Sequence, residues 1–314
     1  MAKASRVSFG EAIAKLGEKH PEIVVLEADL GKSTYSYQFG ERFPERYFEM
    51  GIAEANMIGT GAGLAMTGKI AFICSFAAFV TGRYDIIRMS IAYPNVNVRI
   101  IGTHCGVAIG PDGNSQQGLE DMSIMRSLPN MGVIQPGDDM ETQQAIEYSL
   151  KHKGPLFIRL TRQKLEDINS KNYQFQYGKG VILKDGKDVT LFATGGTVYN
   201  TLQAAHRLEK DGIKVRVVNI HTIKPIDDEL IIKCARETKR MITVEDHNII
   251  GGLGSAVSEV ISEHYPVLLK RIGLKDCFGE SGVEKELYKK FGLDTESIEE
   301  TIRDFMSKDQ PVLV

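Results

Sequence analysis

The chain has 314 residues, of which 42% are hydrophobic and 25% are charged, and its formal net charge is −3. These proportions are typical of an ordinary globular protein, and the length suits two α/β domains better than a single core. Lysine and arginine are scattered, which argues against nucleic acid or an anionic membrane surface as a partner. No apolar stretch reaches the ~20 residues of a membrane span, and the polar N-terminus lacks the apolar region of a signal peptide.

The four cysteines (Cys74, Cys105, Cys234 and Cys277) lie far apart and follow no paired spacing. Zinc clusters and disulfide frameworks have characteristic spacings, so we expect neither, and no metal site in this chain. Free thiols fit a reducing compartment, and we expect the protein to be cytoplasmic.

Residues 1–165 alternate between apolar runs rich in valine and isoleucine and patterns with helical spacing. The predicted strands cover residues 23–27, 70–75, 96–102, 132–135 and 155–161. The predicted helices cover residues 7–19, 53–66, 79–92, 118–127 and 140–152. Nearly continuous apolar strands that alternate with helices indicate an α/β domain with a buried, mostly parallel sheet flanked by helices on both faces.

The stretch that follows is polar and lacks periodicity, and we predict a linker over residues 166–187. The alternation resumes in residues 188–314, which we predict to be a second, smaller α/β domain. Its predicted strands cover residues 189–193, 214–220, 241–245 and 267–271. Its predicted helices cover residues 198–210, 227–237, 252–264 and 284–290.

Several loops at the carboxyl ends of the predicted strands, where open α/β sheets bind ligands, contain chemistry-bearing residues. The first, residues 28–34, combines glycine, lysine and hydroxyl side chains, which suit a phosphate, although it lacks the spacing of a P-loop. The alternative interpretation is a plain turn in which Asp29 or Ser33 caps a helix.

Glu54 is a single carboxylate at the start of the helix predicted over residues 53–66, among alanine, methionine, isoleucine and glycine. One interpretation is a first-turn acid that the helix dipole stabilises by up to ~1 kcal/mol. The other interpretation is a chemical group, because apolar neighbours desolvate a carboxyl and favour the protonated form that a proton-shuttling acid needs.

Two further loops follow apolar strands. Phe76 and Phe79, with only alanine between them, are spaced to form a flat-walled slot for a planar ring, although core packing is the usual role of such pairs. The glycine-rich loop of residues 102–117 carries His104, Asp112 and Gln116, and loops of this length in a compact domain are usually functional or disordered. A lone histidine more often has a structural role, whereas His, Asp and Gln together in one glycine-rich loop favour a binding site.

Taken in chain order, these stretches resemble the C-terminal half of the transketolases over nearly the whole chain. In the first domain the matching motifs are Gly51-Ile52-Ala53-Glu54-Ala55-Asn56-Met57, Ser75-Phe76-Ala77-Ala78-Phe79, Thr103-His104, Gly113-Asn114-Ser115-Gln116 and Arg159-Leu160-Thr161-Arg162. In the second domain they are Thr222-Ile223-Lys224-Pro225, Thr243-Val244-Glu245-Asp246-His247 and Gly251-Gly252-Leu253-Gly254-Ser255-Ala256. Each motif is weak alone, and their common order makes the resemblance specific.

The resemblance implies a pyrimidine-binding domain of thiamine diphosphate enzymes over residues 1–165 and a transketolase C-terminal domain over residues 188–314. It implies that Glu54 hydrogen-bonds the aminopyrimidine ring and favours the tautomer that deprotonates the thiazolium carbon. Phe76 and Phe79 align with the aromatic residues that hold the pyrimidine, and we assign Asp29 and Ile52 to the same cofactor site.

By the same resemblance, His104 and Asp112 face the substrate hydroxyls beside the thiazolium, and we also assign His104 a catalytic role. Gln116 stands where many transketolases have histidine. Its amide donates and accepts hydrogen bonds but carries no proton charge, so we assign it to binding. The residues that align with contacts to the sugar phosphate are Arg6, Ser33 and Arg162. From the residues alone, a surface ion pair is the commoner role for Arg162.

A thiamine diphosphate enzyme also needs a domain with a Gly-Asp-Gly motif for the metal and the diphosphate, and the chain contains no such tripeptide. We therefore expect a split enzyme in which a separate N-terminal subunit supplies the diphosphate site and its Mg²⁺ or Ca²⁺. The glycine-rich helix over residues 53–66 suits close packing between chains, so we expect a dimer of chain pairs.

The expected activity is the transfer of a two-carbon ketol unit between sugar phosphates, as in the pentose phosphate pathway. One alternative is the beta subunit of a 2-oxoacid dehydrogenase decarboxylase, against which segments 113–121 and 126–130 argue. The other is a non-catalytic transketolase-like module that binds a partner or metabolite, against which the presence of Glu54, His104 and Asp112 argues.

Overall fold

Short strands and helices alternate through the first domain of the computed structural model, which describes residues 2–307. The strands are β1 (Lys3–Ala4), β2 (Ile23–Glu27), β3 (Tyr47–Glu49), β4 (Ile70–Phe76), β5 (Val98–Thr103), β6 (Gly132–Ile134), β7 (Leu156–Arg159) and β8 (Lys164–Leu165). The helices are α1 (Ser5–Leu16), α2 (Gly31–Thr34), α3 (Tyr37–Arg42), α4 (Glu54–Met66), α5 (Ala77–Thr81), α6 (Tyr84–Ile86), α7 (Asp121–Ser127) and α8 (Asp139–Ser149).

The second domain repeats this alternation with longer helices. Its strands are β9 (Val181–Lys184), β10 (Val189–Ala193), β11 (Val215–Asn219), β12 (Thr222–Lys224), β13 (Arg240–Asn248) and β14 (Leu268–Leu274). Its helices are α9 (Val198–Glu209), α10 (Asp228–Thr238), α11 (Leu253–His264), α12 (Glu284–Lys290) and α13 (Thr295–Ser307).

Two largely parallel sheets organise the protein, and the predicted fold class is confirmed. The first sheet has seven strands in the order β12-β6-β7-β5-β4-β2-β3, with only β12 antiparallel to its neighbour. The second has five strands in the order β14-β13-β10-β11-β9, with only β9 antiparallel. The strands β2, β4, β5 and β10 are buried along their whole length, which explains their largely apolar sequences.

The structure differs from the predicted elements in several places. The helix predicted over residues 79–92 is broken at Arg83, whose φ of −100° and ψ of 41° are not helical, and it continues as α6 and a π-helical segment, Ile87–Ala92. Residues 181–184 of the predicted linker form β9, an edge strand of the second sheet. The strand β3 escaped prediction because it has three residues at a half-exposed sheet edge. The helix α13 was not predicted either.

The two domains share hydrogen-bonded structure. The strand β12 follows the second-domain strand β11 in sequence, yet it pairs with β6 of the first sheet. At the other end of the first domain, β1 and β8 form a separate antiparallel pair. Within residues 2–307, no helix has both the length and the apolarity to cross a bilayer.

Helix α4 lies close against the sheet at Gly61. A Cβ atom at this position would meet the Cγ2 atom of Ile73 on β4 at 2.6 Å. The β-branched side chain of Ile73 is buried and has little rotamer freedom, so it leaves no room for a methyl group. Gly59 and Gly63 on the same helix face open space.

We predict that Gly61→Ala destabilises the chain by about 1–3 kcal/mol, because an added methyl overpacks the contact with Ile73. Gly59→Ala and Gly63→Ala are the matched controls, and each stabilises the chain by up to about 1 kcal/mol through its higher helix propensity. Urea denaturation of the isolated variants measures the difference. Equal effects of all three substitutions would contradict the close packing at Gly61.

Candidate active site

Five adjacent strands end at one edge of the first sheet, and a loop with a predicted site residue follows each. In the order β3, β2, β4, β5 and β7, the loops lead to Glu54, Asp29, Phe79, His104 and Arg162. Neighbouring strands lie ~4.8 Å apart, so this row of loops extends over about 20 Å. Parallel strands thus place residues that are distant in sequence along one edge.

Glu54 is the first residue of α4 and is only 7% exposed. Its burial agrees with the apolar surroundings seen in the sequence. The Nη2 atom of Arg83 lies 3.9 Å from its Oε2 atom, beyond direct hydrogen-bond distance. Ile52, two residues earlier, is 82% exposed. The carboxyl is therefore shielded from solvent, whereas the apolar side chain two residues earlier is open to it.

Glu49 ties this loop to the neighbouring one. Its Oε1 atom accepts the backbone N–H of Asp29 at 2.8 Å and that of Gly51 at 3.0 Å. Asp29 has a φ of 61°, in the left-handed region, so the hydrogen bond fixes a sharply turned backbone. Sequence reasoning missed Glu49 because it missed β3, the strand that Glu49 ends.

Glu27 stabilises the loop of residues 28–34, whose sequence suits a phosphate. It is fully buried at the end of β2 and accepts hydrogen bonds from the hydroxyls of Thr34 and Ser36, the latter at 2.7 Å, and from the N–H of Ala28 at 3.2 Å. Burial raises the pKa of Glu27 to about 7. An acid that ends an apolar strand was the available signal for this residue in the sequence.

The two predicted aromatic residues stack, but unequally. The ring centroids of Phe76 and Phe79 lie 5.5 Å apart with an interplanar angle of 18°. The other neighbour of Phe76 is the His104 imidazole, whose centroid is 3.7 Å away at 25°. Phe76 is 4% exposed and Phe79 is half-buried. Phe79 is therefore the ring that a planar ligand can reach, with Phe76 as its support.

His104 uses both ring nitrogens in hydrogen bonds. Arg6 donates from Nη1 to Nε2 at 3.1 Å, so the ring proton lies on Nδ1, which donates to the Thr103 hydroxyl at 2.9 Å. The Thr103 hydroxyl in turn donates to the Ser75 carbonyl at 3.4 Å. Burial, together with the charges of Arg6 and Arg162, lowers the pKa of His104 to about 3. His104 is thus held as a neutral imidazole in one tautomer.

The cations of the site converge from opposite ends of the first domain. Arg6 also donates to the Ser33 carbonyl at 2.7 Å, and the pairing of β1 with β8 brings it beside the residues that follow β7. Arg162 donates to Asp112 Oδ2 at 3.1 Å and to the Ile109 carbonyl at 2.6 Å. The structure therefore brings four predicted substrate residues together around a fifth, His104: Arg6, Ser33, Asp112 and Arg162.

Gln116 lies apart from this hydrogen-bonded group. It ends a 3-10 turn, Asn114–Gln116, that packs against α5, the helix of Phe79. Beside Arg162, a cleft of about 750 Å³ opens between the two domains, lined on the far side by Gly282 and Glu284. Within residues 2–307, no group of three or more His, Cys, Asp and Glu side chains is arranged to bind a metal ion.

Comparison with known families defines the class of both domains. The transketolase pyrimidine-binding domain matches residues 2–167, and the transketolase C-terminal domain matches residues 178–298. The chain is 47% identical to a protein of Methanocaldococcus jannaschii named as a transketolase C-terminal section, over 98% of both chains. The chain belongs to the transketolase family.

A second relative is named for a sulfonated sugar. The chain is 41% identical to a 6-deoxy-6-sulfo-D-fructose transketolase subunit of a Clostridium strain, over 93% of this chain and 91% of that one. The solved structure of a split gene transketolase, described as an inactive beta4 tetramer, has a TM-score of 0.90 and 44% identity, and covers 98% of this chain and 99% of that chain. In domain content the chain therefore corresponds to the C-terminal part of a split transketolase.

We predict that protonation of His104 opposes folding in acid. The unfolded imidazole, with its ordinary pKa of 6.5, binds a proton that the folded one, at about 3, does not. Stability therefore falls as the pH drops from about 6.5 towards 3, by up to about 1.4 kcal/mol per pH unit from this group, and is independent of it above that range.

His104→Gln removes the His104 share of this slope, and chemical denaturation of both proteins between pH 4 and 8 measures the difference. Burial also lowers the pKa values of His152, His221 and His247, so their share remains in both proteins. The exposed His206 on α9 provides the control, and His206→Gln keeps the wild-type pH dependence. Parallel curves for wild type and His104→Gln would contradict the neutral, buried imidazole.

Proposed function

We propose that the chain is the C-terminal subunit of a thiamine diphosphate-dependent transketolase. Together with a separate N-terminal subunit, it transfers a two-carbon ketol unit from a ketose phosphate to an aldose phosphate in the cytoplasm. The observation that carries the proposal is the row along one sheet edge: a buried acid, a reachable aromatic ring, a neutral histidine and two arginines. Each matches one need of this reaction.

The transketolase family uses thiamine diphosphate, and the residues of this chain fit its pyrimidine half. Glu54 is a buried carboxyl that can share a proton with a ring nitrogen, and Phe79 offers a ring face for stacking. We assign Asp29, from the neighbouring loop, and Ile52, from the loop that leads to Glu54, to the same cofactor site. The cofactor, when bound, supplies the carbanion chemistry that breaks a carbon–carbon bond beside a ketone.

The remaining residues of the row bind and orient the sugar. The guanidinium groups of Arg6 and Arg162 are suited to phosphate oxygens, and Ser33 adds a hydroxyl from the loop that Glu27 supports. Asp112 and Gln116 are assigned to the sugar hydroxyls.

His104 is assigned to a position between sugar and cofactor. Because Arg6 and burial keep it neutral, it acts through a hydrogen bond and not as a cationic acid.

A partner subunit completes this site in the proposal. It contributes the diphosphate-binding domain and most ligands of Mg²⁺ or Ca²⁺, so the isolated chain is inactive and binds the cofactor weakly. The relative whose name includes a sulfonated sugar supports a wider substrate range, and the ketose used by this chain belongs to the pentose phosphates or to such unusual sugars.

We predict that Glu54→Gln lowers turnover of the assembled enzyme by about 10²–10⁴-fold, because the amide cannot exchange a proton with the pyrimidine. Steady-state rates are measured after mixing with the N-terminal subunit, with xylulose 5-phosphate, sulfofructose and pyruvate as alternative donors. The exposed Glu147 on α8 gives the matched control, and Glu147→Gln retains wild-type rates.

Size-exclusion chromatography verifies that the Glu54→Gln complex assembles. Unchanged turnover in an intact Glu54→Gln complex would refute the role of this acid. Turnover with pyruvate and none with any sugar would refute the transketolase assignment in favour of a 2-oxoacid decarboxylase.

We also propose that a second copy covers the outer face of α4, giving a dimer of chain pairs. Small residues leave this face flat at Ala55, Gly59 and Gly63. Apolar side chains beside it are exposed, among them Met66 at 63% and Tyr93 at 79%. Such an apolar patch is typical of an interface, and a related split transketolase chain is described as a tetramer.

Gly59→Arg is predicted to prevent this association, since the long charged side chain replaces a flat contact and leaves its charge unpaired. Analytical ultracentrifugation of the assembled enzyme then reports single chain pairs. Ser262→Arg, on the exposed face of α11, is the matched control and keeps the wild-type mass. A wild-type mass for Gly59→Arg would place the interface elsewhere.

A further inference from the structure

The substrate loop, residues 103–117, is closed at its base by the first domain. Cys105 pairs with Gly118 in an isolated bridge, and Gly106 donates its N–H to the Gly118 carbonyl at 2.9 Å. The loop carries three predicted substrate residues, His104, Asp112 and Gln116. Their positions therefore depend on what fixes the loop beyond its base.

A carboxylate of the second domain accepts a hydrogen bond from the loop, just after the residues that close its base. The Oδ1 atom of Asp246, on β13, accepts the N–H of Val107 at 2.8 Å. Gly106 has a φ of 77°, and a Cβ atom there would lie 2.1 Å from Asp246 Oδ2. Only glycine allows the backbone to approach the carboxylate this closely.

Asp246 is itself held in place by buried groups. Its carbonyl accepts from Arg159 Nη2 at 2.9 Å, and its Oδ2 atom accepts from the Tyr288 hydroxyl at 3.1 Å. The same Arg159 makes two hydrogen bonds to Asp121, at 2.8 and 3.2 Å, and a third to the Gly118 carbonyl at 2.9 Å. These side chains are at most 5% exposed. Arg159 of the first domain thus fixes the Asp246 backbone, and Tyr288 of the second domain orients its carboxylate.

A second segment of the same domain, residues 280–282, contacts later residues of the loop. Gln117 donates from Nε2 to the Glu280 carbonyl at 2.9 Å, and Gly282 donates its N–H to the Gly110 carbonyl at 3.4 Å. At Gly113, beside Asp112, an added Cβ atom would meet the Ser281 hydroxyl at 2.4 Å. The second domain therefore contacts the loop at Val107 and again at Gly110, Gly113 and Gln117.

We propose that Asp246 is a positioning residue of the active site. Because Asp246 binds Val107, the second domain determines the position of the substrate loop. The loop position in turn determines where Asp112 and Gln116 lie relative to the sugar. This inference rests on the proposed function for its kinetic consequence, but its structural content is independent of any activity. Asp246 contacts neither the sugar nor the cofactor in this proposal, and acts only through the loop.

The test compares Asp246→Ala with Asp246→Asn. Alanine removes the acceptor of the Val107 N–H, whereas asparagine keeps a side-chain carbonyl in the same place. Tyr288→Phe is a milder variant that removes the hydroxyl that orients the carboxylate and that also donates to Gln163 Oε1 at 2.9 Å. The control is Thr190→Val, which deletes an equally buried hydroxyl of the second domain, bonded to Thr238 and remote from the loop.

The first measurement is amide hydrogen exchange of residues 105–110 in the isolated chain. We expect exchange at Val107 to rise at least about ten-fold in Asp246→Ala, less in Tyr288→Phe, and to return towards wild type in Asp246→Asn. In the assembled enzyme, Asp246→Ala raises KM for the sugar about ten-fold, while kcat stays within about two-fold. Thr190→Val changes neither readout, although it lowers stability.

Several outcomes would overturn the proposal. Wild-type exchange in Asp246→Ala would show that the carboxylate does not hold the loop. Faster exchange with an unchanged KM would show that the loop is held but does not position substrate. Absence of transketolase activity in the wild-type complex would instead overturn the proposed function, and the exchange measurements would still decide whether Asp246 holds the loop.

Discussion

The arrangement of the two domains and the position of the substrate loop both depend on the hydrogen bonds of the buried Arg159 guanidinium. It ends β7 in the middle of the first sheet, pairs with Asp121 at the start of α7, and donates to backbone carbonyls of Gly118 and Asp246. Burying a charge is costly unless it is paired, and removing one partner of such a pair typically costs about 3–5 kcal/mol. The loop base, α7 and the second domain are thereby fixed to one another.

In the candidate site, too, hydrogen bonds of a charged side chain fix the backbone. An acidic side chain there stabilises a loop that carries a different candidate site residue. Glu27 accepts hydrogen bonds from the hydroxyls of Thr34 and Ser36, and Glu49 accepts the backbone N–H groups of Asp29 and Gly51. A carboxylate that accepts several hydrogen bonds from a loop fixes the backbone of that loop without being one of its ligand-facing side chains. The functional side chains can then remain exposed to a ligand while the backbone beneath them is rigid.

The sequence drew attention to the side chains of the candidate site, and much less to the residues that support them. Glu54 is conspicuous as a carboxyl among apolar residues, and Phe76 and Phe79 are conspicuous as a closely spaced pair. The different exposure of those two rings was not predictable, because it depends on His104, which stacks on Phe76 from another strand. The strand β3 and its Glu49 were missed because three half-exposed residues give no periodic signal.

The sequence by itself determined the alternation of strands and helices, the two α/β domains and the residue types of the site. Those features are written in local patterns, since burial on both faces of a sheet requires continuous apolar strands. Only the tertiary structure decided which groups meet: Arg6 with His104, 98 positions apart, and Val107 with Asp246, 139 positions apart. Such contacts arise from strand order and domain packing, which bring distant segments together without leaving a pattern in either segment.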